Sequence, residues 1–176
     1  MKPTMFFLFL WLLVGCVTNS SNLPSKVTNW QKFPVTFEGT QQVVIRTDQG
    51  EHQFTVQLRR TPGLLHWVVL EPTFLTPVAI VKTDGIDSQI KWVRKIQKSV
   101  PLDLQVLSRQ IFQFYDAKSF RVQHDVHHWQ SADKDLQYKI LGIKNNDGCA
   151  FPEVIEITHQ NISGLRIRVT TEDISC

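Results

Sequence analysis

The chain has 176 residues and a formal net charge of +3, from 19 basic and 16 acidic side chains. That length suits one domain with a proper core. The balanced charge, with no basic block, gives no argument for nucleic acid, and past the first residues no apolar run reaches the ~20 residues a membrane helix needs.

The chain opens MKPTMFFLFLWLLVGC. Lys2 supplies a positive start and Met5 to Val14 is unbroken apolar sequence, about ten residues, the dimensions of a secretory h-region. Leu13-Val14-Gly15-Cys16 directly behind it resembles the lipobox of bacterial lipoproteins. The resemblance implies that residues 1–15 are a signal peptide and that Cys16 is acylated, becomes the mature first residue and anchors the protein to a membrane. Buried acyl chains contribute ~0.8 kcal/mol per CH₂, and several chains hold far better than one. An ordinary signal peptide with an accidental cysteine is the plainer alternative. Val17, where an Asp would retain the protein in the inner membrane, points in a diderm bacterium to the outer membrane, facing the periplasm. Residues 16–29 then combine the lipidated Cys with a small, polar, flexible tether. With Cys16 taken by lipid, Cys149 and Cys176 are the even pair left in an oxidising compartment. A disulfide between them would close the C-terminal hairpin onto the loop before it and contribute ~3–4 kcal/mol on the chain-entropy account. A metal site or a redox pair is the competing reading, and without a CxxC neither has good support.

From residue 30 the pattern has period two, the signature of half-buried antiparallel strand. Val35, Phe37 and Gly39 alternate with polar neighbours, and Val43 and Ile45 continue to the Asp48-Gln49-Gly50 turn. Phe54, Val56 and Leu58 face one way, and Gln53, Thr55, Gln57 and Arg59 the other. After Thr61-Pro62-Gly63, the run Leu64 to Leu70 is apolar on both faces apart from His66. A Pro-bounded loop, Glu71 to Pro77, precedes two strands, 78–81 and 89–93, around Thr83-Asp84-Gly85.

One segment departs from this pattern. Ser99-Val100-Pro101 reads as a helix start, with Asp103 where the dipole favours an anion. Leu104, Leu107, Ile111 and Phe114 recur at helical spacing, and Val106, Phe112 and Tyr115 widen the stripe. A helix over 101–115 with so broad an apolar face needs a large partner. Strands resume with Phe120, Val122, His124 and Val126, then Leu136, Tyr138 and Ile140. Ile155 and Ile157, then Leu165, Ile167 and Val169, form a last hairpin. The expected fold is mainly β (α+β): a curved antiparallel sheet or half-open barrel of nine to ten strands, enclosing or capped by the central helix.

This order of pieces resembles the LolA/LolB superfamily of periplasmic lipoprotein carriers. The match rests on Phe37-x-Gly39 opening the first strand, Leu64 to Leu70 followed by a loop with apolar tips, Thr83-Asp84-Gly85, and Pro101-Leu102 starting the helix. It spans most of residues 30–170 as architecture, and residues 30–176 are expected to form one LolB-like domain. The chain looks most like the LolB-like outer-membrane lipoproteins encoded near fatty-acid or aryl-polyene synthesis clusters. The Cys149/Cys176 pair, which the lipoprotein receptor does not require, sets this chain apart from it. The resemblance implies a hydrophobic cavity for acyl chains or lipoprotein lipid moieties, walled by Phe37, Leu65, Trp67, Val69, Trp92, Leu107, Ile111 and Phe114. It also implies a membrane-touching loop tip at Phe74 and Leu75, and a periplasmic LolA-like carrier as partner. From composition alone, an ordinary packed core is the better account of these apolar residues, and only the resemblance turns the reading to a cavity.

No catalytic constellation is legible: there is no GxSxG, HExxH, P-loop or Rossmann glycine pattern. His124-Asp125-Val126-His127-His128 clusters metal-type ligands, but along a strand it offers two per face, short of a zinc site, and reads as exposed strand-end histidines. No metal, cofactor or catalytic residue is therefore expected. An envelope assembly factor or scaffold that binds another envelope protein is the alternative function, with a densely filled interior as its mark. A lipid-modifying enzyme is a third, and would need ionisable groups converging inside.

Overall fold

In the computed structural model the described residues are 32–93, 103–123, 126–131 and 134–176. The residues expected to form a signal peptide (1–15), Cys16 and the expected tether (16–29), the expected helix start at 99–102, and His124 with Asp125 lie outside them. The elements in chain order are β1 (Phe37–Thr47), β2 (Gly50–Thr61), β3 (Leu64–Leu70), β4 (Pro77–Thr83), β5 (Ser88–Trp92) and α1 (Leu104–Tyr115). Then come β6 (Arg121–Gln123), β7 (Val126–Gln130), β8 (Leu136–Asn146), β9 (Cys149–His159) and β10 (Arg166–Ser175).

All ten strands join one antiparallel sheet in the order β5-β4-β3-β2-β1-β10-β9-β8-β7-β6. The sheet curves without closing, and the expected fold class holds. Short connections make each strand pair with its sequence neighbour on either flank, and β1 meets β10 at the centre. One bulge interrupts that central pairing: Thr40 pairs with Asp173 and Gln41 with Thr171, leaving Glu172 as the extra residue on β10. The insertion reverses which residues of β10 face inward, so Ile167, Val169 and Thr171 are buried before it and Ile174 after it.

Helix α1 starts later than the sequence pattern suggests. Asp103 is its N-cap, with the Oδ1 atom accepting from the backbone N–H of Gln105 at 2.8 Å and of Val106 at 3.4 Å. Its carboxylate takes up the unpaired first-turn donors from outside the helix instead of sitting inside the first turn. The inward stripe is also narrower: Leu107, Phe114 and Tyr115 are buried, whereas Val106 is exposed. Two contacts fasten the helix across the concave face. Ser108 Oγ lies 2.7 Å from Ser88 Oγ on β5. At the other end Arg60 of β2 donates to the Tyr115 carbonyl, one of the helix's unpaired last carbonyls, and to Pro34 O at 3.3 Å, and it pairs with Asp116. Gly85, with φ of +90°, turns β4 into β5 and leaves room for the Phe112 ring, which a Cβ would meet at 2.5 Å.

Three local expectations are corrected. Val35 lies outside the sheet and is exposed, because Pro34 lacks the N–H a ladder needs and β1 begins only at Phe37. Residues 120–126 are not one strand: β6 and β7 form a hairpin, with Arg121 opposite His128 and Val122 opposite His127. Alternation alone does not reveal a short turn. His127 is buried instead of exposed. The Cys149–Cys176 disulfide is present, with Cα atoms 5.6 Å apart. Cys149 is the first residue of β9, so the bridge closes the open end of the β9–β10 hairpin itself.

Candidate functional site: an apolar cavity between sheet and helix

The interior is built in two parts. At the end of the sheet carrying the β2–β3 turn, aromatic rings interlock. Phe33 meets Phe114 at 5.0 Å, Tyr115 at 4.8 Å and Phe151 at 5.1 Å between ring centroids, and Phe37 meets Phe151 at 4.9 Å. Phe114 stacks on Tyr138 at 4.3 Å. Such pairs prefer edge-to-face or offset geometry and each adds ~0.5–1.5 kcal/mol beyond burial. We call this the aromatic plug.

Toward the other end the sheet and α1 diverge around a cavity of about 330 Å³. Inward residues of successive strands wall it: Val43 and Ile45 of β1, Phe54, Val56 and Leu58 of β2, and Leu65, Trp67 and Val69 of β3. Ala79, Val81 and Trp92 extend the wall to edge strand β5. Ile155, Ile157, Ile167 and Val169 line the far side, and Leu104, Leu107, Ile111 and Phe114 of α1 cover it. Period two explains the convergence, since every second residue of a curved sheet points at its concave axis.

Burial is graded along each strand. Leu58 and Leu65 are buried while Phe54 and Val69 are partly exposed, and on β1 exposure rises from Gln41 to Ile45. The cavity therefore opens toward the end that carries the β1–β2 and β3–β4 loops. Trp92, half exposed, stands at its edge. The β3–β4 loop at that end holds Phe74 at 78% and Leu75 at 58% exposure. Glu71 organises it: its carboxylate accepts from the N–H of Thr73 at 3.1 Å and of Phe74 at 3.0 Å, and its carbonyl accepts from Leu75 N–H at 2.9 Å. Leu75 adopts a φ of +51°, uncommon for a leucine, and the tip is held with both apolar side chains outward.

Of the eight residues expected in a cavity, the structure brings seven together: Leu65, Trp67, Val69, Trp92, Leu107, Ile111 and Phe114. Phe37 is corrected. It faces inward and is buried, but its ring packs in the aromatic plug against Tyr115 and Phe151 and is not among the residues that line the cavity.

Sequence reasoning missed Gln41, the one wall residue that is neither aliphatic nor aromatic. Its signal was its position: it interrupts the inward series Phe37, Gly39, Val43, Ile45. Gln41 sits at the closed end of the cavity, where Tyr115 Oη donates to its Oε1 at 3.1 Å. Gln41 Nε2 donates to Thr171 Oγ1 at 3.3 Å, and Thr171 Oγ1 donates to Pro152 O at 2.7 Å. Burial pushes the Tyr115 phenol well above its ordinary pKa, only partly offset by the bond to Gln41, so it stays neutral. Among the described residues the wall holds no charged side chain. Among the described residues no group of three or more His, Cys, Asp or Glu side chains is placed to hold a metal ion.

No family model matches the chain, and no curated protein matches it in sequence. Solved structures share its fold. A LolA superfamily protein from Nitrosomonas europaea superposes with a TM-score of 0.55 at 10% identity, covering 82% of this chain and 87% of that one. A putative outer membrane lipoprotein-sorting protein domain from Vibrio parahaemolyticus gives a TM-score of 0.47 at 10% identity, over 80% of this chain and 84% of that one. At such identity the likeness to the Nitrosomonas protein is one of architecture: a ten-stranded, unclosed antiparallel sheet with a short helix, as in LolA-like folds.

Proposed function

We propose that this protein is a non-catalytic, lipid-anchored lipoprotein of the outer membrane. It binds acyl chains, or the lipid moiety of a lipoprotein, in its apolar cavity and helps transfer or localise them at that membrane. The observation that carries this reading is the cavity itself. A pre-formed recess of about 330 Å³ that opens to solvent keeps its apolar wall in contact with water, and each Å² of that wall covered by an apolar ligand contributes ~25 cal/mol. A wall that is apolar and pre-formed gains by taking an apolar ligand, and the volume is in the range of small-molecule sites. A scaffold with a filled interior has no use for it. Cys16 would supply the anchor, and a LolA-like carrier would supply the cargo.

The Phe74–Leu75 tip stands at the open end of the cavity, where a ligand would leave for a membrane. Phe74→Glu removes an exposed apolar contact without touching the core, so stability should stay within about 0.5 kcal/mol while transfer of a fluorescent fatty acid to vesicles slows. Unchanged transfer would remove the loop from the mechanism. The function itself is tested on the full chain carrying Cys16→Ser, purified from a periplasm, by native mass spectrometry and lipid extraction. Acyl species near one per protein support a carrier. An empty protein that also fails to bind a fluorescent fatty acid overturns it in favour of the scaffold.

A further inference from the structure

Within the acyl-binding reading, on which this inference rests, the closed end of the cavity is oddly furnished. Gln41 is 3% exposed, and burying an amide against an apolar wall costs free energy unless its bonds are met. An amide offers two donors and two acceptor positions. Among the described residues Gln41 uses one donor on Thr171 and one acceptor position for Tyr115. One N–H and one lone pair remain, on a side chain that lines the cavity, as do the lone pairs of the Tyr115 hydroxyl, which lines it too. The neighbours hold both groups still. Tyr115 is wedged between Phe33 and Phe37, and Thr171 is fixed on Pro152 O. Pure packing would be served better by Leu or Met at position 41, in series with Val43 and Ile45.

We infer that Gln41 and Tyr115 form a specificity floor, which selects ligands whose deeply inserted end carries a neutral hydrogen-bonding group: a hydroxyl, an ester or a protonated carboxyl. The floor offers a donor and acceptors but no cation. Among the described residues no Lys or Arg lines the cavity, and Arg60, which binds the Tyr115 carbonyl from outside it, is spent on that carbonyl, on Pro34 O and on Asp116. An ionised carboxylate would therefore enter uncompensated, and a bare methyl end would leave the amide unmet. Gln41 and Tyr115 are buried while Val43 and Ile45 beyond them on the wall are partly exposed, so the ligand selected carries its polar group at the end that passes the mouth first.

The test is competition. The full chain carrying Cys16→Ser is loaded with a fluorescent fatty acid, and the reporter is displaced by dodecanol or by tridecane, which replaces the hydroxyl with a methyl. The ratio of the two affinities is compared between this protein and the same chain with Gln41→Met. Because each ligand's cost of leaving water is common to both proteins, the ratio of ratios isolates the floor. The expected result is a preference for dodecanol that falls by about threefold to tenfold in Gln41→Met, the worth of one net hydrogen bond. If Gln41→Met does not fold, Gln41→Met/Tyr115→Phe serves instead, because it removes both partners of the bond and leaves no orphaned phenol. A ratio unchanged by the substitution, with the reporter still bound, overturns the floor and leaves the cavity reading standing. A reporter that never binds the protein overturns the cavity reading and takes the floor with it.

Discussion

At one end of this molecule Phe33, Phe37, Phe114, Tyr115 and Phe151 fill the space between sheet and helix; at the other, walls of Val, Ile, Leu and Trp enclose a cavity of about 330 Å³. Both ends draw on the same alternation of inward-facing residues, and composition does not tell them apart. What differs is how many elements converge. The plug receives rings from the segment before β1, the last turn of α1, and strands β1 and β9, so each gap between strands is met by a ring from elsewhere. Among the described residues outside the sheet, the cavity is covered by α1 alone, and most of that cover is the aliphatic side chains of Leu104, Leu107 and Ile111. Stability is concentrated in the plug, and capacity for a ligand in the half left unfilled.

Substitutions can break that division directly. The largest effect is expected from Phe151→Ala, which empties the centre of the plug. Its side chain is fully buried, and such truncations cost about 3–5 kcal/mol. Urea denaturation would measure this, and a loss under 1 kcal/mol would mean the plug is not the stabilising half. Opening the bridge with Cys149→Ala/Cys176→Ala frees the outer end of the β9–β10 hairpin beside the plug. The loss should be ~3–4 kcal/mol in the same assay. Val43→Phe inverts the logic at the other end by placing a ring into vacant cavity. Stability should hold or rise by about 0.5–2 kcal/mol, while affinity for a fluorescent fatty acid falls by about tenfold. Weakened folding with intact binding would contradict the division.

The smallest effect lies on the convex face, outside both halves. His66 is held below its ordinary pKa by desolvation first, then by Lys82 and Arg59 on the neighbouring strands. His128 is shifted the same way by desolvation, then by Lys139, Arg121 and His127. A histidine with a depressed folded-state pKa binds more protons unfolded than folded. Its contribution is therefore fully present above the unfolded value near 6.5 and is lost as pH falls through the lower folded value. His66→Gln/His128→Gln should flatten the acid-side decline of thermal stability that sets in below about pH 6.5, without changing ligand occupancy. An unaltered pH profile would refute the assignment.

The strands were legible because period two survives wherever one face is wet, and the helix because its stripe breaks that period. Periodicity reports which face a residue takes. It does not report what packs over an inward residue, which is why Phe37, facing inward in the same row as the cavity residue Leu65, is covered by Tyr115 and Phe151 without a trace in the pattern. The β6–β7 hairpin was hidden because its strands are short and its turn carries no Gly or Pro. Gln41 leaves no periodic signal, because an inward series is defined by its apolar members and the informative residue here is the polar one among them. The β10 bulge has no marker in sequence beyond Glu172 and Asp173 standing together where alternation would allow one.

The central pairing of β1 with β10 also sets the order of assembly. β1 is the first strand made and β10 the last, and the Gln41–Thr171 bond joins positions 130 residues apart. Contacts that distant are slow to form, because the chain between must be ordered first. Until β10 docks, β1 and β9 each present an open edge and the concave wall is split along its middle. The cavity therefore exists only once β10 has docked between β1 and β9, and a chain whose central strands are still apart has no continuous wall against which an apolar ligand could be held.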